Sequence, residues 1–386
     1  MKLFLVGGAV RDLLLGRPRS DEDILVFGMS REEFRQRFPM AKEVGRTTPS
    51  FVLKGREYML PRGPDIDADL AARDLTINAL ALDEQGQLYA HPRALEDLHY
   101  RILRPASPDS LIADPVRVLR AARFSAELPE FTASGELLQS MREAAQKADY
   151  AELPRERVSK EILKAMGAPQ PSRFVGLLAQ TGALAPWFAE IEGFDRIPAG
   201  PAPYHTGSLL AHLQRVMDRL AGSSLAVWMG LCHDLGKAGT DPSRWPKHHK
   251  HDKLGAPLAE ALARRLGLPE RYVRAGRIAA ALHMTAAHYS ILRPGTRVDI
   301  LSQLHNHGLL EEMFALIAAD QPESAPLADT AKMEAQARHD LQTMLKVRLP
   351  PEDRNRGPRS GQRLRELRCL ALAKSERRQH SVDKPA

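Results

Sequence analysis

Cysteines are scarce in this chain and long apolar runs are missing, and both absences limit what it can be. The only cysteines among its 386 residues are Cys232 and Cys369, which stand in unrelated contexts, so we expect a reducing cytoplasm and no disulfide scaffold. No apolar stretch approaches the roughly 20 residues that a membrane-spanning helix needs. The apolar run at the N-terminus is too short for a secretory signal, and no internal repeat is found. We therefore expect a cytoplasmic globular protein without a membrane partner.

The charge balance favours an acidic partner. Lys and Arg number 55 against 48 Asp and Glu, which gives a net charge of +7. A basic protein attracts polyanions, although charge alone does not separate nucleic acid from a membrane surface or from general solubility. The length allows roughly two to four domains.

The most informative stretch is an apolar run that stops at paired glycines. Residues 2–6 read as a buried strand, Gly7 and Gly8 as a tight turn, and the residues from Val10 onward as a helix. Glycines expose backbone N–H groups and let a phosphate approach closely. Arg11 adds a positive fork for that phosphate. The turn therefore predicts a phosphate cradle, although a Gly-Gly pair alone is usually only a turn.

Two aspartates follow at the start of a second predicted strand, residues 24–27. In strand geometry Asp21 and Asp23 point to the same face, whereas Glu22 points away. Such a pair alone is more often a solvated loop. Convergent carboxylates beside a phosphate cradle, however, are what two Mg²⁺ ions need for nucleotidyl transfer. In this order the motifs resemble the opening of the class II tRNA nucleotidyltransferases, the CCA-adding enzymes.

The octet at residues 72–79, ARDLTINA, resembles that family's second motif. The family usually has arginine where this chain has Ala72, so only Arg73 carries over. An arginine fork suits a triphosphate or a ribose, and we expect Asp74 to orient it. A surface arginine at a helix start is the alternative interpretation.

The next motif, at residues 94–104, usually begins with a hinge glycine, and Ala94 here could stiffen that hinge. A further family motif at residues 156–161 is expected to brace the helix described next.

A stripe of arginines follows Asp114 and Pro115, which fit a helix cap and first helical residue. The resemblance implies a protein template for the base. Asp114 accepts and Arg117 donates hydrogen bonds to the Watson–Crick edge of cytosine or adenine, and Arg120 and Arg123 also reach the nucleotide. Two alternatives stay open: Asp114 only caps its helix, or the basic face touches RNA backbone without selectivity.

An HD signature occupies residues 231–237, LCHDLGK. The resemblance to the HD phosphohydrolase superfamily implies four metal ligands, namely His212, His233, Asp234 and Asp320. His251 and His283 are further candidates for contacts to the substrate or to those ligands. Imidazole with carboxylate suits a divalent transition metal such as Ni²⁺ or Mn²⁺. The tract at residues 247–251, KHHKH, is either a solvated basic loop or a substrate contact.

The predicted fold class is an α/β nucleotidyltransferase head with a mixed β-sheet and helices, followed by an all-α neck and body and an all-α HD domain. The predicted boundaries are 1–104 for the catalytic head and 105–200 for the neck and body with the base-recognition helix. The HD domain is expected at 201–330, and a basic helical tail that contacts tRNA at 331–386.

The resemblance implies template-independent addition of CCA to the 3′ end of tRNA from CTP and ATP. Asp21 and Asp23 would be catalytic and hold Mg²⁺, and Gly8, Arg11 and Arg73 would hold the triphosphate. The HD domain implies phosphohydrolase activity, as a 2′,3′-cyclic phosphodiesterase, 2′-nucleotidase or phosphatase. The expected partners are tRNA, CTP and ATP, and the chain is expected to be a monomer or a homodimer.

Three alternative functions stay open. Only fifteen residues separate Glu57 from Arg73, where relatives usually carry a mobile loop, and relatives without that loop tend to add only the two cytidines. Within this stretch, residues 65–69 are interpreted as a solvated turn and strand edge. A poly(A) polymerase shares the head but normally lacks an HD unit. A non-catalytic RNA-binding module would need broken carboxylates, and they are intact.

Overall fold

The computed structural model describes residues 1–18, 22–44, 50–202, 207–322 and 327–382. They form two compact units. The first comprises Met1–Ala165 with Arg173–Pro186, and the second comprises Met166–Ser172 with Trp187–Ala386. Among the described residues, no helix combines the length and the apolar character needed to cross a membrane.

The first unit begins with a mixed sheet of seven strands in the order β3-β4-β5-β2-β1-β6-β7. The pairing of β2 with β5 is parallel and the other pairings are antiparallel. The strands are β1 (Lys2–Val6), β2 (Asp23–Phe27), β3 (Lys42–Val44), β4 (Ser50–Leu53), β5 (Arg56–Met59), β6 (Leu80–Asp83) and β7 (Leu88–Ala90). A two-stranded parallel pair, β8 (Ile102–Leu103) and β9 (Thr132–Ala133), follows the sheet.

Alternation along the central strands explains why the sheet is covered on both faces. Phe4 and Val6, two apart on β1, are buried in one cluster with Leu25. The next residue on β2, Val26, points the other way and is buried with Phe34 and other aromatic side chains. This period of two is what places successive side chains on opposite faces of a strand.

Helices make up most of the rest of the first unit. They are α1 (Gly8–Leu14), α2 (Arg31–Arg37), α3 (Ile66–Ala71), α4 (Ala94–His99), α5 (Ser110–Ala113), α6 (Val116–Glu127), α7 (Gly135–Ala145), α8 (Ala148–Ala151), α9 (Arg155–Met166) and α10 (Ser172–Thr181). Ser30 opens α2 with a capping box, because its hydroxyl accepts from the N–H of Glu33 while the Glu33 carboxylate accepts from the N–H of Ser30.

The second unit is helical throughout its described part. Its helices are α11 (Leu209–Arg219), α12 (Ser224–Cys232), α13 (His251–Arg265), α14 (Glu270–Ala286), α15 (Pro294–His307), α16 (Leu310–Asp320), α17 (Leu327–Lys346) and α18 (Pro358–Val382). Ser208 and Ser223 cap α11 and α12 with their hydroxyls. Cys232 is fully buried, as expected of a small core residue. The predicted fold class, an α/β head followed by helical regions, is confirmed.

Two local predictions were wrong. Residues 65–69 are not a solvated strand edge, because Asp65 caps α3 and Asp69 is fully buried within that helix. Asp114 does not cap the arginine-bearing helix either. Pro115 stands at the cap position of α6, and no side chain caps it.

Candidate active sites

One cavity in the first unit, of about 650 Å³, collects most of the residues expected to act on the nucleotide. It is lined by Gly7, Gly8, Arg11, Asp23, Arg73, Asp114, Arg117, Arg120 and Arg123. Asp21 lies outside the described residues. These five arginines therefore face the same space as Asp23, the described member of the expected carboxylate pair, which suits a triphosphate with divalent cations.

The glycine turn at Gly7 lets the Arg73 side chain pack directly against the backbone. Gly7 has a φ of 71°, and a Cβ added there would lie 3.2 Å from Nη1 of Arg73. Any other residue would therefore be strained and would press on that guanidinium. Arg11 is buried beside the turn, and its guanidinium donates to Asp12 at 2.9 Å and to Asn78 at 2.6 Å. The turn and Arg11 thus form a rigid corner of the cavity.

The carboxylate end of the cavity lies where β2 begins. Asp23 opens β2 and pairs in register with Glu57 on the parallel strand β5, so both side chains leave the same face. Both line the cavity. The Glu57 carboxylate accepts a hydrogen bond from Oγ of Ser50 at 2.5 Å. Sequence reasoning did not select Glu57, because it predicted the strand β5 but not the pairing of β5 with β2 that places Glu57 beside Asp23.

Arg73 is held by a different aspartate from the one expected. Its Nε and Nη2 donate to Oδ2 of Asp69 at 3.1 and 3.0 Å, and both side chains are buried. Burial lowers the pKa of Arg73, and the Asp69 carboxylate counters that effect. Oδ1 of Asp69 accepts from the backbone N–H of Arg62 at 2.9 Å. The prediction that Asp74 orients Arg73 was wrong, and Asp69 also fastens the short segment before α3.

Asp74 instead pairs with Arg120 on α6. The guanidinium donates twice to Oδ2 of Asp74, from Nε at 2.9 Å and Nη2 at 2.7 Å. Burial raises the pKa of Asp74, but the Arg120 charge outweighs burial and holds that pKa well below its usual range. Burial lowers the pKa of Arg120, but the carboxylates of Asp74 and Glu161 outweigh burial and raise that pKa above its usual range. The octet motif is thereby tied to the arginine helix.

The two residues expected to select the base are each fixed by other partners. The Arg117 guanidinium donates to the carbonyl of Ala72 at 2.7 Å and to that of Arg73 at 3.1 Å. Asp114 accepts from Nη2 of Arg157 at 2.7 Å. The two side chains approach each other to 3.9 Å, between Nε of Arg117 and Oδ2 of Asp114. They are therefore adjacent, and both are held rigidly at the cavity.

Helix α9 braces α6 as expected. Oε2 of Glu161 accepts from Nε of Arg123 at 2.6 Å, and the Arg123 guanidinium lies 4.0 Å from the ring centroid of Phe124. Lys160 and Lys164, on the same helix, are exposed and line the cavity. Sequence reasoning did not select these lysines.

The residues expected at the HD site converge in the second unit. Nε2 of His212 lies 3.3 Å from Nε2 of His233 and 3.0 Å from Oδ1 of Asp320. Oδ2 of Asp234 lies 3.2 Å from Nε2 of His233. Oδ1 of Asp320 is buried and also lies 3.6 Å from Nε2 of His233. Buried nitrogen and oxygen ligands at these separations suit a divalent cation.

Charges inside the HD site are strongly coupled. Burial lowers the pKa of His233, but the carboxylates of Asp234 and Asp320 outweigh burial and raise it to about 10. Burial raises the pKa of Asp234, but His233 and Lys237 outweigh burial and lower it. Nζ of Lys237 lies 2.6 Å from Oδ2 of Asp234. The pocket thus attracts positive charge, whether from protons or from a metal ion.

The tract at residues 247–251 is not a simple solvated loop. His248 and His251 are buried, and Nε2 of His248 lies 2.8 Å from the carbonyl oxygen of Pro198. His251 opens α13 and lies beside His283 of α14, their Nε2 atoms 3.2 Å apart. Burial and the His233 charge lower the pKa of His283 to about 4. Both histidines belong to the same cluster as Asp234.

Family models match three separate parts of the chain. The poly A polymerase head domain matches residues 3–57, and a probable RNA and SrmB-binding site of polymerase A matches residues 130–194. The HD domain matches residues 203–332. The polymerase head model precedes the HD model along the chain, which is the order of these two motifs in the sequence.

Whole-chain relatives are similar over nearly the full length. The multifunctional CCA protein of Pseudomonas paraeruginosa is 36% identical over 89% of this chain and 86% of its own, and that of Xanthomonas campestris is 33% identical over 97% and 99%. The structure is similar to the CCA-adding enzyme of Bacillus stearothermophilus in complex with CTP, with 25% identity, a TM-score of 0.64 and coverage of 98% and 94%. Similarity to the Thermotoga maritima CCA-adding enzyme complexed with tRNA is in the fold, at 19% identity, a TM-score of 0.60 and coverage of 97% and 91%. The resemblance inferred from the motifs is confirmed, and the chain belongs to the multifunctional CCA protein family, the tRNA nucleotidyltransferases that carry an HD domain.

Proposed function

We propose that the cavity of the first unit is where this tRNA nucleotidyltransferase adds C, C and A to the 3′ end of tRNA from CTP and ATP. One observation carries the assignment. A single cavity holds Asp23 and Glu57 at one strand edge together with Arg11, Arg73 and the arginines of α6. Carboxylates suit divalent cations and arginine guanidinium groups suit a triphosphate, so the cavity offers ligands both for the catalytic metal and for the nucleotide substrate.

The carboxylates at this strand edge fit Mg²⁺, because hard cations prefer carboxylate oxygens. Asp21 and Asp23 are proposed to hold it, with Glu57 as a third carboxylate beside Asp23. Bound Mg²⁺ would favour attack by the 3′-hydroxyl of tRNA and loss of pyrophosphate. Gly8, Arg11 and Arg73 then orient the triphosphate.

Base selection is assigned to Asp114 and Arg117, with Arg120 and Arg123 toward the rest of the nucleotide. Asp114 offers a hydrogen-bond acceptor and Arg117 a donor, and the Watson–Crick edges of cytosine and adenine can each satisfy both. Uracil or guanine would leave hydrogen-bonding groups of this pair unpaired, which would weaken binding of the wrong nucleotide by about 1–3 kcal/mol. The contacts from Arg157 and from two backbone carbonyls keep this pair in place between additions.

The experiment uses purified protein, tRNA lacking its last three nucleotides, and CTP or ATP supplied singly and together. Asp23→Asn should abolish C addition while tRNA binding stays near normal. The matched control is Glu22→Gln, since Glu22 lines the same cavity but pairs with Arg56 at 3.1 Å. Retained incorporation by the Asp23 variant would move the catalytic centre elsewhere.

The same assay decides between CCA and CC addition. The family name of the relatives favours CCA, and the short segment after β5 supplies a candidate for the missing loop. Arg62 is exposed, lines this cavity, and also lines an adjoining cavity of about 690 Å³. We assign to it a nucleotide contact needed for adenosine. Arg62→Ala should slow A addition to tRNA ending in CC more than C addition, whereas Arg56→Ala should not; equal slowing of both steps would contradict the assignment.

A second function is assigned to the HD site, namely hydrolysis of phosphate esters in the cytoplasm. The observation that favours it is the buried group of His212, His233, Asp234 and Asp320. A divalent ion such as Ni²⁺ or Mn²⁺ would supply Lewis-acid activation of water and phosphate there. His233→Ala should remove metal-dependent phosphatase and 2′,3′-cyclic phosphodiesterase activity and spare nucleotide addition. Parallel loss of both activities would instead indicate a structural role for this unit.

The domain boundaries expected from the sequence, 1–104, 105–200, 201–330 and 331–386, are retained as a proposal. Limited proteolysis with mass spectrometry would test them. Cleavage concentrated near residues 104, 200 and 330 is the expected result, and cleavage scattered within the helices would contradict it.

A further inference from the structure

The Phe124 ring is surrounded by three of the arginines that line the nucleotide cavity. Its centroid lies 4.0 Å from the guanidinium carbon of Arg123, 5.4 Å from that of Arg11 and 5.8 Å from that of Arg120. Phe124 is buried, and it lines the same cavity as the three arginines. We propose that Phe124 is a positioning residue for nucleotidyl transfer, because its ring holds these three cations together where the triphosphate binds. This inference rests on the proposed function of the cavity and adds a residue to it.

Three positive charges gathered around one ring repel one another. Arg11 belongs to α1, directly after the glycine turn, whereas Arg120 and Arg123 belong to α6. All three guanidinium groups lie within the roughly 6 Å at which an aromatic ring attracts a cation. The face of such a ring carries partial negative charge, which an aliphatic side chain of similar size lacks. Phe124 therefore offsets part of the repulsion that would otherwise drive these arginines apart before a nucleotide binds.

The acidic partners of the three arginines fix other parts of the same groups. Each guanidinium donates from Nε to a carboxylate: Arg11 to Asp12 at 2.9 Å, Arg120 to Asp74 at 2.9 Å and Arg123 to Glu161 at 2.6 Å. These carboxylates come from three separate segments, so they tie the arginines to different parts of the unit. The ring contacts all three arginines, and it therefore sets the distance between the glycine turn and the arginines of α6.

This spacing matters for a triphosphate, whose charged oxygens follow one another closely along a short chain. Cations that are already gathered need little rearrangement when such a ligand binds, so more of the attraction appears as affinity. Phe124 acts on the groups that face the phosphates and leaves the Asp114–Arg117 pair unchanged. Its contribution should therefore be the same for CTP and for ATP.

The test changes the electrostatics of the ring and keeps its shape. Mono-, di- and trifluorophenylalanine are incorporated at position 124 of the full chain, because fluorine withdraws negative charge from the ring face and weakens its attraction for cations. The Kd values for CTP and for ATP, measured by calorimetry with Mg²⁺, should both rise stepwise with fluorine content, to roughly tenfold in the trifluoro protein. In C addition the KM for CTP should rise in parallel, whereas kcat and the Kd for tRNA should stay near the parent values.

Phe131 supplies the matched control. It is fully buried in the same unit and lies 5.5 Å from the guanidinium carbon of a single arginine, Arg101, but it is not among the residues that line the cavity. Trifluorophenylalanine at position 131 should leave nucleotide binding unchanged, and circular dichroism checks that every variant is folded. Phe124→Leu, which keeps the apolar bulk, should weaken CTP and ATP binding about as much as the trifluoro ring does.

The outcomes separate this inference from the proposed function. Parent Kd values throughout the fluorine series, in a protein that still adds C, would refute the role of Phe124 and leave the proposed function intact. A loss confined to CTP or to ATP would also refute it, because the ring would then act on the base and not on the phosphates. A parent protein that neither binds CTP nor adds C would refute both proposals. A graded and equal loss for the two nucleotides would support the assignment.

Discussion

The buried pair of Asp69 and Arg73 should be among the costliest contacts of the first unit to break. Asp69 is fully buried and Arg73 is 7% exposed, so neither charge can turn to water when the other is removed. Asp69→Asn keeps the shape but deletes the charge. Removing one partner of a buried ion pair costs about 3–5 kcal/mol. That figure corresponds to local opening more frequent by a factor of about 150 to 5,000.

The assay must read the first unit alone. All three tryptophans of the chain, Trp187, Trp228 and Trp245, lie in the second unit, so tryptophan fluorescence reports mainly that unit. Hydrogen–deuterium exchange of peptides spanning residues 60–83 is therefore the primary measurement. In the Asp69 variant these peptides should lose protection, while the fluorescence-detected transition should move little.

Two controls isolate the pair. Asp67→Asn changes an exposed carboxylate on the same helix and should cost no more than about 0.5 kcal/mol. In a double-mutant cycle with Arg73→Met, the cost of Asp69→Asn should shrink markedly, because no buried cation is left unpaired. A cost below about 1 kcal/mol for Asp69→Asn, or strict additivity in the cycle, would refute the reasoning.

Three further outcomes follow from the same cavity. Asp114→Ala should admit UTP or GTP rather than merely slow C addition, and a uniform rate loss with unchanged CTP preference in competition assays would assign it to bracing. Arg120 outweighs burial and depresses the pKa of Asp74, so the ionised Asp74 stabilises the fold above the ordinary pKa of about 4, and this stability is lost as the pH falls from there through the depressed pKa. In Asp74→Asn, the free energy of unfolding measured by circular dichroism should therefore depend less on pH below about 4 than in the parent protein. Gly7→Ala, which combines a φ of 71° with a contact to Arg73, should cost at least about 1 kcal/mol in urea unfolding and weaken CTP binding, and wild-type values for both would contradict the close-approach argument.

Local motifs were predictable because the sequence spacing alone determines their geometry. The strand, glycine turn and helix at the N-terminus follow from a short apolar run and two glycines, and β2 follows from its period of two. The HD pair was equally visible, since His233 and Asp234 are neighbours. These features need no knowledge of the tertiary fold.

Long-range pairings were not predictable in the same way. The cavity contains several arginines and several carboxylates, and spacing does not say which guanidinium meets which acid. Asp74 was matched with its neighbour Arg73, whereas in the structure it pairs with Arg120, and Asp69 takes Arg73 from one helical turn away. Periodicity also misled at Asp69, because alternating aspartates suggest a strand edge when the chain is in fact turning into α3.

His251 and His283 illustrate what a sequence signal can still offer. His251 and His283 are separated by a long stretch of chain, and only the packing of α13 on α14 brings their Nε2 atoms together. The usable signal was Gly255, four residues after His251, together with Gly236 in the HD turn. A glycine within a helix lowers its stability, so it needs a local reason. Here the reason is the contact between bare backbones that brings His251 to within 3.4 Å of Asp234.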